Sequence, residues 1–150
     1  MPSNQQRRGG LRDLANSLNK KAASYEQQAN EAAKDVAIAV VEHLAYNTPV
    51  DTTQALSNWI VTLGSGTDQT RLAFVPGMFG STHNQSAQQT IQDAVNVLVN
   101  KKPGQTIFIS NNLSYIRALN EGTISRQPSG FVEAAVLKGR EVARNFKFKG

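Results

Sequence analysis

The sequence predicts an α+β fold in which a long N-terminal helix and two further helices pack on a small, mostly antiparallel sheet. Three observations point there. Apolar residues step by threes and fours through residues 11–44, the spacing of one helix face. Residues 57–64 and 106–110 are rich in β-branched and aromatic side chains and are bounded by Gly, Pro or Asn, which are strand signals. Helical spacing then returns at residues 86–99 and from Phe131 onward.

Residues 1–10, MPSNQQRRGG, are polar, end in paired glycines and have no period, which predicts a flexible basic arm. Residues 11–150 then form one domain, a size that supports a single core at 39% hydrophobic content. Within the first helix the leading half is Ala-rich and polar, while Val36, Ala37, Val40, Val41 and Leu44 crowd the end. Only the second half is therefore expected to be buried, and the first half to project. Thr48-Pro49 stops the helix, because the residue before proline avoids the helical region. Asp51, Thr52 and Thr53 read as an Asx or ST turn, or as the N-cap of a short helical turn through Ala55 and Leu56.

Residues 57–64 alternate Trp59, Val61 and Leu63 with Asn58, Ile60 and Thr62, which predicts a strand with Trp59 in the core. Residues 71–75, around Phe74, are its expected hairpin partner across Gly64-Ser65-Gly66. Residues 78–85 read as a surface loop holding His83, with Met78 and Phe79 as anchors or contact points. The helix at 86–99 places Ala87, Ile91, Ala94, Val95 and Leu98 on one face, and Pro103-Gly104 stops it. A third strand, residues 106–110, ends at the Asn111-Asn112 turn. A short helix follows, with Ser114 as a possible cap and Gly122 as its C-terminal glycine. The loop 123–130 has Arg126 at its tip, and Phe131, Val132, Ala135, Val136 and Gly139 give one face of the last helix. Residues 144–150, RNFKFKG, alternate Phe and Lys and predict a short strand that adds to the chain's own sheet or to a neighbour's.

The net charge of +5 is uneven. Residues 1–21 carry Arg7, Arg8, Arg12, Lys20 and Lys21 against Asp13, and residues 131–150 carry five basic side chains against Glu133 and Glu141. Basic ends on a mildly acidic middle suit acidic protein surfaces or a DNA backbone. There is no cysteine, and His43 and His83 have no carboxylates spaced to complete a metal site. Neither a phosphate-cradling glycine loop nor a nucleophile elbow is present, so the expectation is a protein without a catalytic site or cofactor. No apolar run approaches the roughly twenty residues of a membrane span, and the basic N-terminus has no apolar run behind it, so neither signal peptide nor anchor is expected.

Asn111-Asn112, Tyr115, Asn120-Glu121-Gly122, Ser125-Arg126-Gln127-Pro128 and Gly130-Phe131-Val132 form one motif. Thr48-Pro49-Val50-Asp51-Thr52 forms a second, far upstream. Together they resemble the neck or tail-completion (head–tail joining) family of tailed bacteriophages, the family of lambda minor tail protein Z, over residues 47–142. One departure is that Thr53 stands where the family has glycine, a residue suited to positive φ. The resemblance implies a structural virion protein that forms a homo-oligomeric ring in the neck, made in the host cytoplasm. It implies portal or connector/adaptor proteins on one side, tail terminator or tail tube/sheath proteins on the other, and DNA passing through the ring. Candidate contact residues are Asn111, Asn112, Tyr115, Asn120, Glu121, Ser125, Arg126 and Gln127, with Arg7, Arg8 and Arg12 at the basic end. The alternative is a basic DNA-binding module in phage DNA packaging or retention, prompted by a pI near 9.7. Against that alternative, aromatic residues are few and sit mostly at apolar-face positions, so no base-stacking platform is evident.

Overall fold

The computed structural model of the chain describes residues 2–49, 53–122 and 130–150, with side chains in the first helix from Gly10 onward. The elements run α1 (Pro2–Asn47), α2 (Gln54–Ser57), β1 (Ile60–Leu63), α3 (His83–Leu98), β2 (Ile107–Ser110), α4 (Ile116–Glu121) and α5 (Phe131–Asn145). The fold is α+β as expected and mostly helical, with one two-stranded antiparallel sheet among the described residues. No described helix is long and apolar enough to cross a membrane.

α1 is the spine. Its 46 residues extend about 69 Å at 1.5 Å per residue. Ala37, Val41, Leu44 and Ala45 are buried, whereas residues 11–27 are exposed throughout, so the two halves divide as their composition predicts. The helix begins at Pro2, and its backbone therefore includes the segment expected to be a non-periodic arm. Extending a helix that is already nucleated fixes one residue per added hydrogen bond, which favours this continuation.

The C-terminal end of α1 is closed by side chains. The Thr48 hydroxyl donates to Leu44 O at 2.5 Å, and the Asn47 amide donates to His43 O at 2.8 Å. Trp59 Nε1 in turn donates to Thr48 Oγ1 at 2.9 Å, and its ring meets Phe131 edge-on, with centroids 6.5 Å apart. Trp59 thus joins the end of α1, the start of β1 and the start of α5 in one core cluster with Leu44, Ala55 and Ala135. A second cluster packs Val61 of β1 against Ala37 and Val41 of α1 and Ala94 and Leu98 of α3. α1 and α5 approach closely at Gly139, where an added Cβ would lie 2.6 Å from Val40 Cγ2.

β1 pairs with β2, in the register Ile60↔Ser110 to Leu63↔Ile107, and not with residues 71–75. The expected hairpin is therefore wrong, and Phe74 lies in no strand. Ser57 and Asn58 also precede β1, Ser57 being the last residue of α2. Residues 71–75 instead form a strap whose backbone is satisfied by side chains. Asn58 Nδ2 donates to Arg71 O at 2.7 Å, and Arg71 N donates to Asn58 Oδ1 at 2.8 Å. Phe74 N donates to Ser57 Oγ and Val75 N to Ser86 Oγ. A side-chain amide has the same donor and acceptor as a peptide group, so Asn58 supplies what a neighbouring strand would.

Three smaller expectations also change. α3 begins at His83, so that residue is helical, with Nε2 3.2 Å from Ala45 O and its ring stacked on Tyr46. Tyr115, not Ser114, precedes α4, and no side chain caps that helix. Residues 146–150 form no strand. Phe146 is extended, but Lys149 exchanges two hydrogen bonds with the Gln28 side chain of α1, and Phe148 meets Tyr25 edge-on.

Trp59→Ala should destabilise the chain by roughly 3 to 5 kcal/mol, since it removes a large buried ring and with it the N–H that donates to Thr48 Oγ1. Urea unfolding checks this, and an unchanged midpoint would show that the ring does not join these elements.

Candidate functional site

The expected contact residues fall into separate places. Asn111, at the end of β2, donates from Nδ2 to Ala55 O at 2.9 Å and accepts from Leu113 N through Oδ1, an Asx turn that starts the link to α4. Asn112 donates to both Thr67 O and Gln69 O, at 2.9 and 3.0 Å, and so pins the loop after β1. Tyr115 is half-buried against the Trp59 cluster, and burial pushes its hydroxyl pKa up. These three residues tie the fold together.

Asn120, within α4, bonds to the next helix. α5 starts from Gly130, at φ 82°, with no side-chain cap of its own. Asn120 Oδ1 accepts from Val132 N at 2.9 Å, and Asn120 O accepts from Gly130 N at 2.8 Å. Its Nδ2 reaches both Glu133 carboxylate oxygens at 3.0 Å. One asparagine on α4 therefore serves as the N-cap of α5 and clasps the base of the loop between them. Hydrogen bonds from Asn120, followed by one from the backbone, hold the Glu133 carboxyl below the usual carboxylate range. Glu121 is exposed on the neighbouring turn. Ser125, Arg126 and Gln127, together with Asp51 and Thr52, lie outside the described residues.

Arg12 lies on the projecting half of α1, about 50 Å along the helix axis from Asn47 at 1.5 Å per residue. Arg7 and Arg8 belong to the same helix. The basic end and the asparagine-rich end are thus two regions and not one site. Around Arg12, Leu11, Leu14, Leu18 and Tyr25 are all large, apolar and exposed. A second exposed apolar group sits at Leu72, Met78 and Phe79, with Phe79 85% exposed at φ 57°. Met78 and Phe79 are therefore exposed and do not anchor the loop in the core. Bulky non-glycine residues in the left-handed region are outliers that cluster where function holds them.

The upstream motif carries a second outlier. Thr53, where the resembled family has glycine, sits at φ 67° and is buried. Its hydroxyl donates to Val75 O at 2.9 Å and accepts from Ser86 Oγ at 3.3 Å. Those bonds offset a backbone cost of order 1 to 3 kcal/mol.

Among the described residues no three His, Cys, Asp or Glu side chains are grouped to hold a metal ion. Sequence reasoning missed an apolar groove between α1 and α5, along β2. It consists of two joined cavities of about 450 and 420 Å³ that share Val36, Val40, Ile107, Ile109 and Ala143. The signal available was the run Ile107-Phe108-Ile109, apolar on both faces of the strand and so more apolar than a strand facing one helix needs. No protein-family model matches the chain, and no curated protein or solved structure matches it either.

The Glu133 tie predicts an acid-sensitive contact. Its folded pKa lies below its unfolded value, so its contribution is present above the unfolded value and is lost as pH falls through the folded one. In an NMR titration the Asn120 side-chain amide signals should shift with a midpoint below the ordinary glutamate value of about 4.3. Asn120→Ala should raise the Glu133 midpoint toward that value, the backbone hydrogen bond remaining, and a midpoint indifferent to this change would remove Asn120 as its main cause.

Proposed function

We propose that this chain is a structural virion protein of a tailed phage, one copy of a homo-oligomeric ring in the neck that joins the DNA-filled head to the tail. The observation that carries the reading is the pair of motifs that resemble the neck or tail-completion family. Their packing gives that pairing a physical basis. Asn111 of the downstream motif donates to Ala55, 56 residues earlier, just beyond the upstream one. Trp59 lies between them, bonded to Thr48 of the first motif and packed on Phe131 of the second. The two motifs therefore specify one joint, and each makes sense only with the other.

The exposed surface suits assembly. Leu11, Leu14 and Leu18 repeat at helical spacing on the exposed start of α1, ahead of the Tyr25–Phe148 contact, and such a stripe is an interface feature. A surface of this kind that meets a different surface on the next copy makes a heterologous contact, which closes into a ring when the rotation allows. Its neighbours in the neck would be portal or connector proteins on the head side and terminator or tube proteins on the tail side. Ser125, Arg126 and Gln127 stay within this proposal as contact residues on the strength of the motif. The work of such a protein is interface complementarity and not catalysis.

The DNA-binding alternative rests on Arg7, Arg8, Arg12 and the basic C-terminal residues, and it makes a different demand. Binding through phosphates weakens steeply with added salt, whereas packed subunit contacts persist.

Replacing Leu11, Leu14 and Leu18 together with serine should move folding stability by no more than about 0.5 kcal/mol, because all three are exposed. The same variant should fail to join heads to tails in a particle-assembly assay in which the wild-type chain succeeds. Full joining by the variant, or loss of function only at raised salt, would count against the ring.

A further inference from the structure

We propose that the outer edge of β2 and the apolar groove beside it form a docking slot for an extended, acidic-flanked segment of another protein, which adds to the sheet as a third strand. The inference is independent of the neck assignment.

The edge is open. Gly64 N donates to Thr106 O at 2.8 Å, and Gly64 and Thr106 continue the register that pairs Leu63 with Ile107. In an antiparallel ladder hydrogen-bonded pairs alternate. Phe108 and Ser110 therefore turn their N–H and C=O groups toward β1, and Ile107 and Ile109 turn theirs away from it. Those outward groups have no partner among the described residues. Unpaired strand edges are templates for another strand.

The groove tells what kind of strand. The Ile107 and Ile109 side chains line it together with Val36 and Val40 of α1, so alternate residues of an added strand meet an apolar wall. Its charged lining is basic. Lys101 is buried, only 7% exposed, and its ammonium donates to Asn30 Oδ1 and Lys102 O without any carboxylate within ion-pair distance. One of its three N–H groups is left over. In the adjoining cavity Arg140 has no hydrogen-bonded or ionic partner among the described residues. A buried cation with neutral partners is costly, and an entering carboxylate would reduce that cost. Charge complementarity thus selects an occupant that carries Asp or Glu beside its apolar residues, and it disfavours a second copy, whose ends are basic.

The probe is an acetylated, amidated octapeptide of alternating glutamate and valine, titrated against the full chain by fluorescence anisotropy, with a lysine–valine octapeptide as control. The acidic peptide should bind saturably and at least about tenfold more tightly than the basic one. Ile109→Pro removes an outward N–H without touching the β1 ladder, and it should weaken binding at least about tenfold while the helical circular dichroism is kept. Arg140→Glu, at an exposed helix position, should weaken the acidic peptide and strengthen the basic one. Equal affinity for both peptides, no saturation, or indifference to both substitutions would overturn the slot. Self-association of the chain that Ile109→Pro abolishes would overturn the assigned occupant in favour of a second copy.

Discussion

The structure around β1 depends on a buried set of hydroxyl and amide side chains that hydrogen-bond across α2, α3 and the strap at residues 71–75. Thr53, Ser57, Asn58, Ser86 and Thr90 are all essentially inaccessible to water. Burying such groups without partners costs on the order of 1 to 3 kcal/mol each. None is left without one, and no described buried side-chain nitrogen or oxygen lacks a partner. Val75 O accepts from the Thr53 and Thr82 hydroxyls and lies 3.0 Å from Ser86 Oγ, while Thr90 Oγ1 donates to Ser86 O and approaches Leu56 O at 3.2 Å. Arg71 completes the set, with Nε on Ser57 O, Nη2 on Trp59 O and Nη1 on Asp93 at 2.9 Å. The Asp93 pair is partly exposed, so the ion pair itself adds little and the bonds to backbone matter more.

That network explains what the sequence allowed to be read and what it hid. The long helix, the α3 face through Ala87, Ala94 and Leu98, the strand at residues 106–110 and the left-handed Gly122 were legible, because apolar period and glycine chemistry act locally. The hairpin was not. Residues 71–75 have strand composition, but whether a strand pairs with backbone or with side chains is decided by Ser57, Asn58 and Ser86, which lie outside the segment on either side of it in the chain. The same holds at the tail, where Phe and Lys alternate as in a strand yet the Gln28 amide, 121 residues away, takes both Lys149 backbone groups. Residues 50–52 and 123–129, where part of the candidate site falls, lie outside the described structure.

The contact residues divide along physical lines that spacing alone did not separate. Asn111, Asn112 and Asn120 bond to backbone groups from other parts of the fold, and Asn120 caps a helix that has no cap of its own. Their motif therefore encodes a joint. Exposed apolar surface lies elsewhere: on the projecting half of α1, at Leu72, Met78 and Phe79, and in the groove beside β2.

The central claim is that side chains, not a strand, hold residues 71–75 in place. Amide hydrogen exchange of the isolated chain tests it most directly. Arg71, Phe74 and Val75, whose N–H groups end on Asn58, Ser57 and Ser86, should be protected to a degree comparable with β1. Leu72, whose N–H has no such partner, should exchange freely. Exchange of all four at the rate of an open loop would contradict the account.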